Sequence, residues 1–185
     1  MSISSTSFTD FTAGSAGGLG YIKCTSLTMT GTSITSTNTL ATNDNGGLFY
    51  VKGTDSTVTI NTSTFTNSVT GVSGGGFYID DTSFVTMTIS STSFTTFTAA
   101  TSGAIGWIKN SAFTLSASSV TTLTTKATTT HGGLFYVEGT SSDITLTGST
   151  FTTSNAGNSG AGFYISDSDF VKMRITSSTF TTFTA

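Results

Sequence analysis

The 185-residue chain contains no proline, one cysteine and one histidine. Proline has no amide hydrogen to donate, so its complete absence is typical of a protein built almost wholly of strands that are paired on both sides. A single cysteine excludes a disulfide framework. A single histidine leaves no credible Ser–His–Asp catalytic triad, whatever the abundance of serine.

Charged residues make up only 8% of the chain, with a net charge of −3 and no basic run. This pattern excludes the electrostatic footprint of a nucleic-acid-binding protein. The strongly apolar runs are four to six residues long, which predicts no membrane-spanning segment in this stretch, and no signal-peptide pattern precedes the first repeat. Good helix formers are scarce, with one glutamate, no glutamine and six lysines and arginines together.

Serine and threonine provide 75 of the 185 residues, and phenylalanine provides 15. Disordered serine-rich segments lack aromatic and β-branched residues, whereas this chain is rich in both. Threonine, valine, isoleucine, phenylalanine and tyrosine favour strands. The composition therefore predicts an all-β protein.

A tandem repeat of 86 residues runs through the chain. Residues 1–99 match residues 87–185 at 55 of 99 positions without a gap. The phrase that begins at Met1 returns at Met87 and at Met173. The chain thus divides into units 1–86 and 87–172, with 173–185 starting a third. Because both ends show the same phase, we expect one continuous β-helix over 1–185 that is a segment of a longer array.

A shorter period lies inside each unit. Six glycine-led segments each carry an aromatic residue, and the sequence numbers of successive aromatic residues differ by 29, 28, 29, 29 and 28. These residues are Tyr21, Tyr50, Tyr78, Trp107, Tyr136 and Tyr164. Residues 45–73 contain three alternating runs, LFYVK, STVTINT and STFTN. Three short strands in every 28–29 residues predict a single-stranded parallel β-helix, a solenoid of about six coils.

Stacked coils place equivalent residues in columns. One predicted inward column holds Val58, Met87, Leu115, Ile144 and Met173. A second holds Ile34, Phe65, Phe94, Val120, Phe151 and Phe180. In the first strand of each coil we expect the inward residues to be Ile22, Val51, Ile79, Ile108, Val137 and Ile165. By alternation the Tyr/Trp column faces outward, although the opposite assignment stays open because tyrosine also packs well in cores.

The glycine-led phrase GG-L/G-F-Y-V/I is seen at residues 46–51, 75–79 and 132–137, and the first of these is followed by S-T-F-T-N at residues 63–67. It resembles the repeats of polymorphic outer-membrane-protein-type adhesins, which belong to the pectin-lyase-like group of right-handed parallel β-helices. The resemblance implies a cell-surface or secreted rod, often an adhesin, and not an enzyme. Right-handedness is implied by this resemblance and by the general preference for right-handed crossovers.

No catalytic, cofactor-binding or metal-binding residues are predicted. Two acidic pairs occupy matching turns, Asp80/Asp81 and Asp167/Asp169. They could supply oxygen ligands for Ca²⁺, but aspartate is common in turns because its side chain bonds to local backbone amides, and we favour that interpretation. Lys172 and Arg174 alternate on one strand, which indicates a solvated face rather than the base of a lyase. His131 stands where Asn45 stood one unit earlier, so we interpret it as a loop histidine.

Three surface features have possible functions. The Tyr/Trp column could bind sugar rings or a neighbouring filament, or could simply stiffen the rod by stacking. Asn61 begins an N-glycosylation sequon. The third is a Thr/Ser array that flanks the inward residue of each third strand and resembles the threonine faces of ice-binding solenoids; it consists of Ser7/Thr9, Ser33/Thr35, Thr64/Thr66, Ser93/Thr95, Ser119/Thr121, Thr150/Thr152 and Thr179/Thr181.

The sequence therefore predicts a non-enzymatic structural protein at the cell surface or outside the cell. Its partners would be copies of itself joined end to end, since terminal coils without polar caps expose strand edges, and glycans that are bound or covalently attached. An adhesin or glycan-binding module that uses the Tyr/Trp column is one alternative function. Ice binding through the Thr/Ser array is the other.

Overall fold

The computed structural model describes residues 1–9, 13–23, 26–41, 45–52, 56–127, 131–166 and 171–185, without the side chains of 36–41, 81–84 and 122–127. Within these ranges every regular element is a strand. The strands are β1 (Ser2–Ser4), β2 (Ser7–Thr9), β3 (Gly20–Lys23), β4 (Ser26–Thr30), β5 (Ser33–Ala41), β6 (Phe49–Lys52), β7 (Thr57–Asn61), β8 (Thr64–Thr70), β9 (Phe77–Ser90), β10 (Ser93–Ala99), β11 (Gly106–Ser116), β12 (Ser119–Ala127), β13 (Phe135–Glu138), β14 (Ser142–Thr147), β15 (Thr150–Ala156), β16 (Phe163–Ser166), β17 (Val171–Thr176) and β18 (Thr179–Thr184).

Each strand pairs in parallel with its counterpart one coil away. The third strands form a seven-stranded sheet in the order β18-β15-β12-β10-β8-β5-β2. The first and second strands share an eleven-stranded sheet, because they run together without a break in β9 and β11. The chain is therefore an all-β parallel solenoid of about five turns, close to the six coils predicted.

The lengths of the coils repeat with the 86-residue unit. Successive register partners in the seven-stranded sheet are Ser7, Ser33, Thr64, Ser93, Ser119, Thr150 and Thr179. Their sequence numbers rise in steps of 26, 31 and 29, and then of 26, 31 and 29 again. Because the three steps together make one 86-residue unit, the backbone repeats with the same period as the sequence.

One predicted inward column was wrong at a single position. The register partner of Met87 is Phe113, whereas Leu115 pairs with Ile89 in the neighbouring column. The cause is the length of the link between the first and second strands. Tyr78 and Met87 lie nine residues apart, but Trp107 and Phe113 lie only six apart. A prediction that assumes one uniform coil length therefore places Leu115, and not Phe113, beside Met87.

The other inward columns follow the prediction. Ile34, Phe65, Phe94, Val120, Phe151 and Phe180 are register partners in order. The Phe65 and Phe94 rings stack at 5.3 Å, and the ring of Phe77 meets both edge-on. The first-strand column is also confirmed in register, although Ile165 on the outermost strand β16 is 46% exposed.

Two kinds of corner require left-handed backbone. The glycine before each first strand has positive φ, as at Gly46 (φ 74°), where a Cβ would lie 2.5 Å from the carbonyl oxygen of Phe49. The corner between the second and third strands has one residue with φ between 47° and 60° in every coil, and only two of these seven are glycine: Ser5, Gly31, Thr62, Ser91, Ala117, Gly148 and Ser177. The neighbouring coil therefore holds most of these corners against their local preference.

Candidate interaction surfaces

The Tyr/Trp column forms a continuous stack of rings, called here the aromatic ladder (Tyr21, Tyr50, Tyr78, Trp107, Tyr136 and Tyr164). Successive ring centroids lie 4.3 to 6.2 Å apart, and the interplanar angles do not exceed 29°. The closest pair is Tyr78 and Trp107, at 4.3 Å and 9°. Parallel strands in register place these side chains directly over one another, so the stack follows from the fold.

The aromatic ladder lies outside the hydrophobic core, yet its interior rings are largely covered. Phe49 and Val51 on either side of Tyr50 belong to the core cluster, and Tyr50 does not. Trp107 and Tyr50 nevertheless expose only 8% and 9% of their surface, whereas Tyr21 at the end of the ladder exposes 54%. Each interior ring has another ring on both faces, so only ring edges are accessible to a ligand.

A column in which five of six residues are charged accompanies the aromatic ladder, two positions further along each first strand. Lys109 lies 4.0 Å from the carboxylate of Asp80 and its ammonium group lies 5.8 Å from the centroid of the Trp107 ring. Glu138 is the register partner of Lys109 on the other side. These side chains are partly solvated, so each pair contributes little to stability. Lys23 and Lys52 are register partners of like charge at the other end.

The predicted Thr/Ser array lies on the outer face of the seven-stranded sheet. Its pairs are in register from Ser7/Thr9 to Thr179/Thr181. One column of the array is threonine in every coil: Thr9, Thr35, Thr66, Thr95, Thr121, Thr152 and Thr181. The residue between the two members of each pair points inward. The array is therefore a two-column, charge-free hydroxyl surface with the spacing of a β-sheet.

The outer face of the eleven-stranded sheet differs because it carries charge at one end. Thr28, Thr59 and Thr88 are register partners there. Further along the same face the guanidinium group of Arg174 donates to the carboxylate of Asp143 at 3.2 Å. Lys172, which the sequence placed on a solvated strand face, is exposed and is the register partner of Asp143.

The structure contains a buried column of hydroxyl groups, called here the hydroxyl ladder, that the sequence analysis did not predict. It follows the left-handed corner and contains Thr32, Ser63, Thr92, Ser118 and Ser149, all at most 4% exposed. The Ser118 hydroxyl donates to the carbonyl oxygen of Ser116 at 2.8 Å and accepts from the backbone amide of Thr92 at 3.2 Å. The only sequence signal is a Ser or Thr two positions before the inward residue of each third strand, which is hidden among 75 such residues.

The predicted sequon lies on the eleven-stranded sheet. Asn61 ends β7 half-buried, and its side-chain oxygen accepts a hydrogen bond from the Ser90 hydroxyl at 2.6 Å. Ser63, the hydroxyl residue of the sequon, is buried in the hydroxyl ladder and donates to the Asn61 carbonyl oxygen at 2.9 Å.

Among the residues that the structure describes, the titratable side chains do not converge on a site. Within the described ranges, no three His, Cys, Asp or Glu side chains are placed to hold a metal ion. The ring of His131 stacks on Tyr164 at 4.1 Å, and its Nδ1 atom is buried without a hydrogen-bond partner. Asp167, Asp169 and the side chain of Asp81 lie outside the described residues.

The solenoid has an apolar cavity of about 200 Å³ beside its first complete coil. Gly20 lines it where the next coil has Phe49. The 86-residue repeat places Gly106 at the same phase, but there Phe113 fills the space with its ring 5.4 Å from that of Phe135. Leu27 takes the place of Phe113 in the first unit and is smaller, which leaves the cavity open.

No protein-family model matches the chain, and no curated protein or solved structure matches it either. The parallel solenoid is therefore shown by the strand pairing alone, and the resemblance to adhesin repeats has no support from these comparisons. In the portion of the chain that is described, no helix has the length and apolar character needed to cross a membrane.

Proposed function

We propose that the protein is a non-enzymatic structural rod, whose length is set by the number of stacked coils. It extends either by further 86-residue units in the same polypeptide or by head-to-tail stacking of separate copies. In both cases each added coil pairs with the one before it through the same parallel ladder. We place the rod outside the cell or at the cell surface, where a hydroxyl-rich surface can carry glycans.

One observation carries this proposal: the strand register repeats with the sequence. The register steps of 26, 31 and 29 recur in the same order in both units. A coil one unit further along therefore presents the same strand edge and the same inward side chains. Such a structure grows in one dimension without a change of contacts. Three columns run along the growth direction and resist bending: the inward column that contains Phe65 and Phe94, the aromatic ladder and the hydroxyl ladder.

The rod is tested by inserting one additional 86-residue unit after residue 86. Three more coils at a spacing of about 4.8 Å lengthen a parallel solenoid by about 14 Å with no change in cross-section. Small-angle X-ray scattering measures both quantities. A matched control inserts a glycine–serine linker of the same length at the same point. A radius of gyration of the cross-section that grows with the inserted unit would contradict the rod.

A second candidate function is ice binding by the Thr/Ser array. The observation that favours it is the all-threonine column, in register and without charge, on a single sheet face. Thermal hysteresis of the purified protein tests this candidate directly. Thr121→Tyr places a bulky ring on that face, and Thr114→Tyr places the same ring on the outer face of the other sheet as a control. Equal hysteresis in both variants would argue against this surface.

The adhesin candidate uses the aromatic ladder to bind sugars. Because interior ring faces are covered by neighbouring rings, sugar stacking is restricted to the two end rings, Tyr21 and Tyr164, and to ring edges. This geometry favours stiffening as the role of the ladder. Retention on immobilised glycans, compared between the unmodified chain and Trp107→Leu, separates the two roles. Covalent glycosylation is tested by glycosidase treatment after eukaryotic expression, with Asn61→Gln as the control.

A further inference from the structure

We propose that two copies of this chain join in one defined phase, with β16 of one copy paired to β3 of the next and with β17–β18 replacing the next copy's β1–β2. This inference rests on the proposed function and specifies its head-to-tail partner. It is a strand exchange at the junction, and not simple stacking of one end on the other.

The two strands involved each have one unpaired edge in the described solenoid. Among the described strands, β3 pairs with β6 alone and β16 pairs with β13 alone. Their side chains are correspondingly open to solvent, with Tyr21 54% and Ile165 46% exposed. An unpaired parallel edge with apolar side chains is a template for another strand.

The chain already contains the junction that we propose. Phe77–Asp80 of β9 pairs with Gly106–Lys109 of β11. A shift of one 86-residue unit carries position 77 forward to 163 and position 106 back to 20, so the counterparts of these two segments are β16 and β3. Pairing them between copies gives the register Gly20 with Phe163, Tyr21 with Tyr164, Ile22 with Ile165 and Lys23 with Ser166.

The apolar cavity fits this register. At the internal junction, Phe77 is the register partner of Gly106 and its ring lies 6.5 Å from that of Phe113. At β3 the corresponding position above Gly20 is the cavity of about 200 Å³. A cavity of about 150 Å³ is sufficient for a benzene ring. Phe163 of the second copy therefore has a place to insert, and the aromatic ladder continues from Tyr164 of one copy to Tyr21 of the next.

The second half of the junction requires exchange. β17 and β18 correspond to the parts of β9 and β10 that pair with β11 and β12, so their partners in the next copy are β4 and β5. Those edges are already covered by β1 and β2. Residues 1–13 and 173–185 are identical at 8 of 13 positions, so one segment can replace the other.

The exchange also sets the layer at which β16 meets β3. Without exchange, β17 would have to lie on β1, which moves β16 one layer away from β3 and leaves the Gly20 cavity empty.

Disulfide trapping in the full chain, in a Cys24→Ser background, reads out the register. Lys23→Cys/Ser166→Cys is expected to form covalent multimers under mild oxidation, since these positions correspond to Lys109 and Asp80. The control Lys23→Cys/Tyr164→Cys shifts one cysteine by two residues on the same face and is expected to link poorly. Equal linkage in both pairs, or linkage in neither, would overturn the proposed register.

A second pair of variants reads out the exchange. Thr30→Cys/Thr176→Cys is expected to link between copies, because these positions correspond to Ser116 and Ser90. Ser4→Cys/Thr176→Cys links only if β17 lies on an undisplaced β1. Linkage through Ser4→Cys without linkage through Thr30→Cys would show simple stacking and refute the exchange.

A substitution that fills the cavity tests whether Phe163 of a second copy inserts there, without unfolding the protein. Gly20→Phe places a ring against Phe49 of the same copy and removes the space for Phe163, so the fold is kept while self-association weakens by about tenfold or more. Phe163→Ala is expected to weaken it similarly. Sedimentation velocity over a concentration series measures both, with circular dichroism as the check on folding.

The outcomes also distinguish this inference from the proposed function. Self-association unchanged in Gly20→Phe, or a strictly monomeric chain at all concentrations, refutes the junction while a rod-shaped scattering profile leaves the structural role intact. A compact, non-rod particle that still links through Lys23→Cys/Ser166→Cys would instead refute the structural role and keep the junction.

Discussion

The backbone amide of Ser118 donates a hydrogen bond to the hydroxyl of Ser149 at 3.3 Å, one coil away and inside the solenoid. Ser149 in turn donates from that hydroxyl to the carbonyl oxygen of Thr147 at 3.1 Å. The same relation recurs between Thr32 and Ser63. A buried hydroxyl that both donates and accepts thus joins each corner to the next.

We predict that removing one hydroxyl of this ladder is costly. Ser118→Ala leaves the buried Thr92 amide without its acceptor, which costs about 1–3 kcal/mol of unfolding free energy. The Ser116 carbonyl keeps its bond from the Ser91 amide. Ser119→Ala, on the outer face, is the matched control and should change it by less than about 0.5 kcal/mol. Chemical denaturation measures both. Equal effects would show that the ladder does not stabilise the corner.

At the left-handed corner we predict a substitution that raises the unfolding free energy. Ala117 has φ 47°, a conformation that costs a non-glycine residue about 1–2 kcal/mol. Ala117→Gly removes this strain with almost no loss of side-chain contacts, so we expect a gain of up to about 1 kcal/mol. Ser116→Gly, one residue earlier in β11, should lose about 0.5–1 kcal/mol because glycine is unfavourable within a strand. Thermal melts of the two variants in opposite directions would confirm the assignment.

Phe113 and Leu27 occupy the same phase of the repeat with different neighbours. Phe113→Leu should open a cavity beside Gly106 and cost about 1–2 kcal/mol. Leu27→Phe fills existing space beside Gly20 and should cost less than about 1 kcal/mol or stabilise the chain. Urea denaturation of the two variants gives both free energies. A cost for Leu27→Phe as large as that for Phe113→Leu would contradict the cavity assignment.

We predict that removing a ring of the aromatic ladder costs more unfolding free energy in its interior than at its end. Trp107→Leu removes two stacked pairs, each contributing about 0.5–1.5 kcal/mol beyond burial. Tyr21→Leu removes one pair from a half-exposed ring, so its cost should be less than half as large. Chemical denaturation followed by far-ultraviolet circular dichroism gives the unfolding free energies of both variants. A larger loss for Tyr21→Leu would show that the stack does not stabilise the interior coils.

Much of the fold is readable from the sequence because a parallel solenoid converts a period in sequence into a column in space. The Phe65–Phe94 stack and the outward position of Tyr50 follow directly from the repeat and from strand alternation. The misplacement of Leu115 had a specific cause. The links between first and second strands vary in length, and their polar residues carry no periodic signal that would show it.

The sequence by itself determined the all-β class, the 86-residue unit and the order of coils, because these depend only on repetition and on alternating polarity. The tertiary structure decided what each serine and threonine does: whether it is part of a buried hydroxyl ladder, an outer hydroxyl array or a left-handed corner. That difference is set by hydrogen bonds to the neighbouring coil, which is a full turn of the solenoid away in sequence. Those bonds exist only once the coils are stacked, so no local pattern of Ser and Thr can reveal them.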